Sequence, residues 1–159
     1  MNSENINKIL ELGKQAVVEL NQNKNLGKFE ENAEQGFQFF TKLPDEVSAY
    51  SDLDYKFRDL GYRIIKMAVK GHLENNNFNL SKKWLDRWSE FSKMAQLDEE
   101  EVDFYCGRYF YEIGNFDEAY NQWREVVRRS GKSHFRFFEG EDKKYLEFYK
   151  SQTKLREKK

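Results

Sequence analysis

The side chains able to do chemistry are few and scattered. One cysteine, Cys106, and two histidines, His72 and His134, occur among 159 residues. Nucleophilic catalysis needs a thiol or hydroxyl beside a base. Cys106 falls instead at helical spacing with Val102 and Tyr109, the pattern of a small buried thiol. His72 lies on an inward stripe, which points to a hydrogen-bonded core or groove histidine. His134 sits in the loop SGKSHFRFF with no second histidine nearby, so a metal centre is not expected. The run Asp98-Glu99-Glu100-Glu101 with Asp103 offers the hard oxygens that Mg²⁺ or Ca²⁺ take. The same crowding is what a helix N-terminus favours, and it is read that way. P-loop, GxGxxG, HExxH and EF-hand spacings are absent. The expectation is a protein with no catalytic residue, metal or cofactor. The alternative is an enzyme or nucleic-acid site in the 128–138 segment, where Arg128, Arg129, Lys132 and Arg136 lie among Phe135, Phe137 and Phe138. Glu139, Glu141 and Asp142 beside it, and a formal net charge of -1, weigh against nucleic acid.

Composition narrows the class further. Aromatic residues make up 16% and charged residues 35% of the chain, against a usual charged share of about 25%. Large apolar rings combined with abundant charge suit amphipathic helices and disfavour disorder. No apolar run reaches the roughly 18–20 residues that span a bilayer. The opening MNSENINKIL lacks a basic stretch leading into an apolar one, so no secretory signal is expected. A lone cysteine closes no internal disulfide. A cytoplasmic protein without membrane contact is the expectation, folded as one domain over 1–150 with a basic tail over 151–159.

Apolar residues recur at helical rather than strand spacing. Stripes run through Ile6–Leu20, through Phe29–Leu43 with Pro44 closing the helix, and through Leu53–Gly71 after a Ser51 N-cap. Further stripes cover Leu80–Ala95, Val102–Ile113, Phe116–Val127 and Tyr145–Tyr149. Asp98 with Glu101, and Asn115 with Glu118, carry capping-box spacing. Seven helices and no strand are predicted.

Helix pairs at a fixed period mark repeat proteins. Residues 100–133 resemble a tetratricopeptide repeat: Gly107 at the small eighth position, Phe110 at the eleventh, Gly114-Asn115-Phe116 at the turn, Ala119 at the twentieth and Trp123 at the twenty-fourth. Matching Phe78 to Phe116 gives a degenerate copy over 62–95, with Val69, Ser81 and Leu85 at the packing positions and His72 at the eleventh. Matching Phe29 gives a poorer copy over 13–46, ending on Pro44 and carrying Asn32 and Gly36 as weak matches.

The resemblance implies an all-α fold: antiparallel helical hairpins stacked as a short right-handed superhelix, capped by the C-terminal helix. In that family the first helix of each pair lines a concave groove. Carried over by position, the groove residues are Glu101, Phe104, Arg108, Tyr111 and Glu112, with Arg63, Lys66, Lys70, Leu73 and Glu74 from the degenerate copy. The family implies a non-catalytic protein-interaction role of immunity, adaptor or chaperone type. A basic strip beside two aromatics suits an acidic peptide or a toxin or effector surface. On this reading Arg108 and Tyr111 tolerate alanine without loss of helix, whereas Trp123 does not.

Overall fold

Helix punctuation in this chain comes from asparagine and glycine. The computed structural model describes residues 7, 11–16, 18–19, 25–40, 52–94, 97, 99–130 and 136–157. Among these residues there is no strand. Helical residues 11–16 and 18–19 belong to α1, followed by α2 (Leu26–Phe40), α3 (Asp52–Glu74), α4 (Phe78–Met94), α5 (Glu100–Glu112), α6 (Phe116–Ser130) and α7 (Lys143–Arg156). Pro44, Ser51 and Asp98 lie outside the described residues. The capping box read at Asp98 therefore falls outside them; the N-cap of α5 is Glu99, which makes no side-chain cap bond. At Asn115 the sequence reading holds, for the Asn115 Oδ1 accepts the Glu118 N–H at 3.3 Å.

The turns before α4 and α6 are built alike. In the second, Gly114 takes φ +80°, Gly114 N–H bonds to Tyr111 O and Asn115 N–H to Phe110 O. In the first, Asn76 takes φ 57°, Asn76 N–H bonds to Leu73 O and Asn77 N–H to His72 O. Left-handed backbone after a helix favours glycine, and asparagine is its usual substitute. These paired bonds fix an offset of 38 residues, the one given by matching Phe78 to Phe116. The earliest turn differs. Asn25 caps α2, its Oδ1 accepting the Lys28 N–H at 3.0 Å, so Leu26 is the first helical residue and Phe29 is buried one turn inside. The match of Phe29 to the turn aromatic is therefore three residues out of register.

The chain divides into two compact units, Met1–Phe91 and Ser92–Lys159. In the first, α2 packs on α3, and the core draws Phe29, Ala33 and Phe37 from α2, Ile64, Ile65, Ala68 and Val69 from α3, and Trp84, Leu85 and Trp88 from α4. A Cβ on Gly13 would come within 2.7 Å of Leu60 Cδ2, so α1 crosses α3 closely there. In the second unit α5 and α6 form a hairpin and α7 packs on α6. Trp123, fully buried, lies against the backbone of Gly107, where an added Cβ would meet its Nε1 at 2.3 Å. The indole N–H donates to Phe104 O at 3.0 Å. In the copy 38 residues earlier, Val69 and Leu85 replace this glycine and tryptophan, and both are buried. A larger residue on one helix is met by a smaller one on the other, which keeps the core filled.

Two sequence expectations change. Residues 151–156 are not a tail but the last turns of α7, and Arg156 is placed over the Tyr120 ring. Cys106 is half-buried rather than buried, because Phe104 and Arg108 take the covered side of α5.

Gly107→Ala should lower stability by about 1–3 kcal/mol, since a rigid indole cannot yield as a flexible chain end can. Gly36 has nothing within 4 Å of a built Cβ, and Gly36→Ala should be neutral or stabilising by up to about 1 kcal/mol. Urea denaturation of both variants measures the contrast; a Gly107→Ala protein as stable as the wild type would contradict this packing.

Candidate functional site

Three polar clusters stand out. The first is an open groove between α1 and α3, about 550 Å³ in volume, lined by Lys14, Val18, Leu60, Arg63, Lys66, Met67 and Lys70. Leu60, Arg63, Met67 and Lys70 follow one another at helical i, i+3, i+7 and i+10 spacing, so one face of α3 forms one wall. Lys14 and Val18, four apart on α1, form the other. The close crossing at Gly13 sets the helices near enough for the two walls to share an apolar floor of Val18, Leu60 and Met67. Four cations rim that floor, and none of the described lining residues is acidic. Arg63 pairs with Asp59 at 3.0 Å and Lys70 with Glu74 at 4.0 Å, both on the solvent side of α3. Arg63, Lys66 and Lys70, taken from the sequence as site residues, are thus brought together. Lys14, Val18, Leu60 and Met67 were missed, because repeat positions are read within one helix. The only available signal was Gly13, a small residue on an apolar stripe.

The second cluster joins α2, α3 and α4. Glu30 Oε2 accepts from His72 Nε2 and from Trp84 Nε1, each at 2.7 Å, and Lys83 Nζ approaches Oε1 at 3.3 Å. Glu34 accepts both Nη groups of Arg87 at 2.6 Å and Lys83 Nζ at 2.6 Å. The Arg87 guanidinium also lies 4.6 Å from the Phe37 ring centre and 4.7 Å from that of Trp84. Burial raises the Glu30 carboxyl, but the bonds from His72, Trp84 and Lys83 outweigh it and hold the group below its ordinary value. The Arg87 fork, with Lys83, pulls Glu34 down to about 2 against a burial effect of opposite sign. A histidine beside a carboxylate is the geometry of a general base. Here the His72 ring is 1% exposed and its bond to Glu30 ties α3 to α2.

The third cluster holds the other predicted groove residues, and it overturns the exposure expected of them. Phe104 and Arg108 are 1% and 3% exposed. Phe104 packs edge-on to Phe138 and stacked on Phe137, both from the turn before α7. Arg108 Nη1 donates to Glu141 Oε2 at 2.6 Å, Nη2 lies 3.3 Å from the Tyr145 hydroxyl, and the guanidinium rests 5.0 Å from the ring centres of both Tyr105 and Tyr145. Tyr105 donates to Glu141 Oε1 at 2.8 Å. Glu112 accepts the Tyr145 hydroxyl at 2.6 Å and Lys144 Nζ at 2.7 Å. Tyr111, half-buried, meets Phe116, Trp123, Tyr145 and Phe148. The physical reason is α7: the chain's own C-terminal segment occupies the face that sequence reasoning left for a partner.

Electrostatics follow from that burial. Loss of water raises Glu101, and the nearby Glu141 charge raises it further. Burial, then the bond to Glu112, pushes the Tyr145 hydroxyl up to about 12, and burial with Glu141 raises Tyr105 as well. Burial opposes the Arg108 charge, yet Glu141, Tyr145 and Tyr105 together outweigh it and hold the guanidinium above its ordinary value. In the 128–138 segment Arg128 pairs with Glu125 at 2.9 Å, Arg129 pairs with Asp103, and Phe138 is buried; Lys132, His134 and Phe135 lie outside the described residues. Among the described residues no His, Cys, Asp and Glu group of three or more converges to hold a metal ion, and no helix is long and apolar enough to cross a membrane.

Removing one partner of a buried ion pair strands the other. Arg108→Met should therefore cost about 3–5 kcal/mol in urea unfolding. Arg108→Met combined with Glu141→Gln should recover part of it, because the amide drops the charge and still accepts the Tyr105 hydroxyl. A neutral single variant would refute the clasp. Glu34 gives a pH signature. Its folded value of about 2 lies below the ordinary 4.5, so its stabilisation is complete above 4.5 and drains away as pH falls through about 2. Wild type should exceed Glu34→Gln in stability at neutral pH, and the two should converge near pH 2; parallel pH profiles would contradict the linkage. Compared with known proteins, the chain matches no protein-family model, no curated protein and no solved structure.

Proposed function

We propose that this protein is a cytoplasmic protein-interaction module of tetratricopeptide-like helical hairpins, acting as an immunity, adaptor or chaperone-type factor without chemistry of its own. The observation that carries the reading is the α1–α3 groove, where Arg63, Lys66 and Lys70 join Lys14 around an apolar floor. A floor that gains from losing water, rimmed by charges that select the partner, is how interfaces divide affinity from specificity. The family reading draws support from the GNFDEA turn and from Gly107 lying against Trp123. The non-catalytic reading draws support from the histidine of the histidine–carboxylate pair, whose ring is buried and held by Glu30. Arg108 and Glu112 leave the binding surface in this reading, since α7 already engages them.

The test is affinity capture of the tagged chain from its own cells, beside a variant carrying Arg63→Glu, Lys66→Glu and Lys70→Glu. All three lie on exposed or half-exposed positions of α3, so helix content and melting temperature should stay near wild type. A stoichiometric protein partner retained by wild type and lost by the variant is the expected result. Recovery of nucleic acid or a small molecule alone, or a protein partner indifferent to the variant, would overturn the reading.

A further inference from the structure

The geometry points to the kind of partner this groove takes: an amphipathic helix with carboxylates flanking an apolar stripe, its leading carboxylate on Lys70. This rests on the interaction-module reading above. The chain carries its own template for such a fit. The matched turns fix the 38-residue offset, which sets Met67 in the place of Tyr105, Lys70 in that of Arg108, and Glu74 in that of Glu112. On α5 that edge is covered by a helix led by an acid. Glu141 stands one residue before Asp142, the N-cap of α7, and gives one oxygen to Tyr105 and the other to Arg108. One turn on, Lys144 and Tyr145 close over Glu112. On α3 the corresponding edge is open: the Lys70 and Glu74 side chains are 41% and 54% exposed, and Met67 and Lys70 line the groove.

Charge and shape agree on the occupant. The rim is Lys14, Arg63, Lys66 and Lys70, and none of the described lining residues is acidic. The pairs Arg63–Asp59 and Lys70–Glu74 are exposed contacts within one helix, weak enough to be shared with an incoming carboxylate. Leu60 to Lys70 spans about 15 Å along α3, the length of roughly three helical turns. A wall of that length on α3, faced by Lys14 and Val18 of α1 across an apolar floor, suits a helix laid in a groove, anchored at i, i+3 or i+4, and i+7. The open Glu74 at the C-terminal end of the edge corresponds to Glu112, which in α5 receives a lysine. The partner helix is therefore acid-led, with a basic residue about one turn later.

The probe is a labelled helical peptide of roughly 15 residues, long enough to hold helix once bound. It carries a leucine stripe flanked by glutamates and one lysine a turn after the first glutamate. A second peptide has glutamine for each glutamate. Fluorescence anisotropy with the full chain at about 0.05 M and about 0.5 M salt separates charge from apolar contact. The glutamate peptide should bind at least about tenfold more tightly at low salt, and high salt should erase most of that difference. Lys66→Glu with Lys70→Glu should abolish the preference, Lys70→Arg should keep it, and circular dichroism should show all variants folded. Equal binding of both peptides would overturn the acidic class while leaving the interaction module standing. Preference unchanged by charge reversal would place the site elsewhere. Binding to phosphatidylserine vesicles but to neither peptide would replace the helix with a membrane surface. Binding to no probe, with the cellular partner still lost in the α3 variant, would overturn the helix while sparing the module.

Discussion

The contact between the Trp123 indole and the backbone of Gly107 is the constraint on which the second unit depends. A Cβ at position 107 would overlap the ring, so α5 and α6 approach only because glycine stands there. Once that approach is made, the indole N–H reaches Phe104 O and the ring becomes a hub for Phe104, Tyr111, Phe138, Tyr145 and Phe148. These rings come from α5, the turn after α6, and α7. One residue thus sets the spacing of the hairpin and supplies the surface on which the last helix docks. Offset and edge-to-face geometries of this kind add to the area buried.

The first unit solves the same problem with different chemistry. Val69 and Leu85 stand where Gly107 and Trp123 stand, so no single ring can reach across to every neighbour. Cohesion comes instead from two carboxylates on α2. Glu30 and Glu34 gather His72 from α3 and Lys83, Trp84 and Arg87 from α4. One position at the 38-residue offset explains the exchange. Phe110 fills it in the second unit, whereas His72 fills it in the first and requires a polar partner once buried. A polar residue at that position is answered by an acidic residue one helix away.

Much of this was legible in the sequence. Gly107, Ala119 and Trp123 announced the α5–α6 hairpin, and Asn115 its cap, because turn chemistry and close packing are local or nearly so. Phe137 and Phe138, noted in the sequence only as part of a basic and aromatic segment, pack on Phe104. The failures share one physical origin. Periodicity reveals one apolar stripe per helix, and α5 is covered on two sides. Its second side carries Phe104 and Arg108, whose burial depends on a segment more than 30 residues later. Ile113, on the expected inward stripe, is 42% exposed for the complementary reason: the helix has turned that edge to solvent. The register slip at Phe29 is of another kind, since Leu26 and Phe29 compete near Asn25 and only the cap decides between them.

The two arginine- and lysine-bearing edges show why the same residue types serve opposite ends. A buried pair such as Arg108–Glu141 gives up solvation for nearly what it gains in attraction, so its main effect is to fix register. Tyr105, Tyr145 and Glu112 complete its bonding and allow α7 only one setting on α5. An exposed cation on α3 gives up little solvation and gains little, but its field extends roughly 8–10 Å into solution at moderate salt. It can steer an approaching acidic surface without committing to it, while Val18, Leu60 and Met67 supply the gain from losing water at contact. On the proposed reading the groove serves an encounter, whereas the α7 edge is already filled by the chain itself.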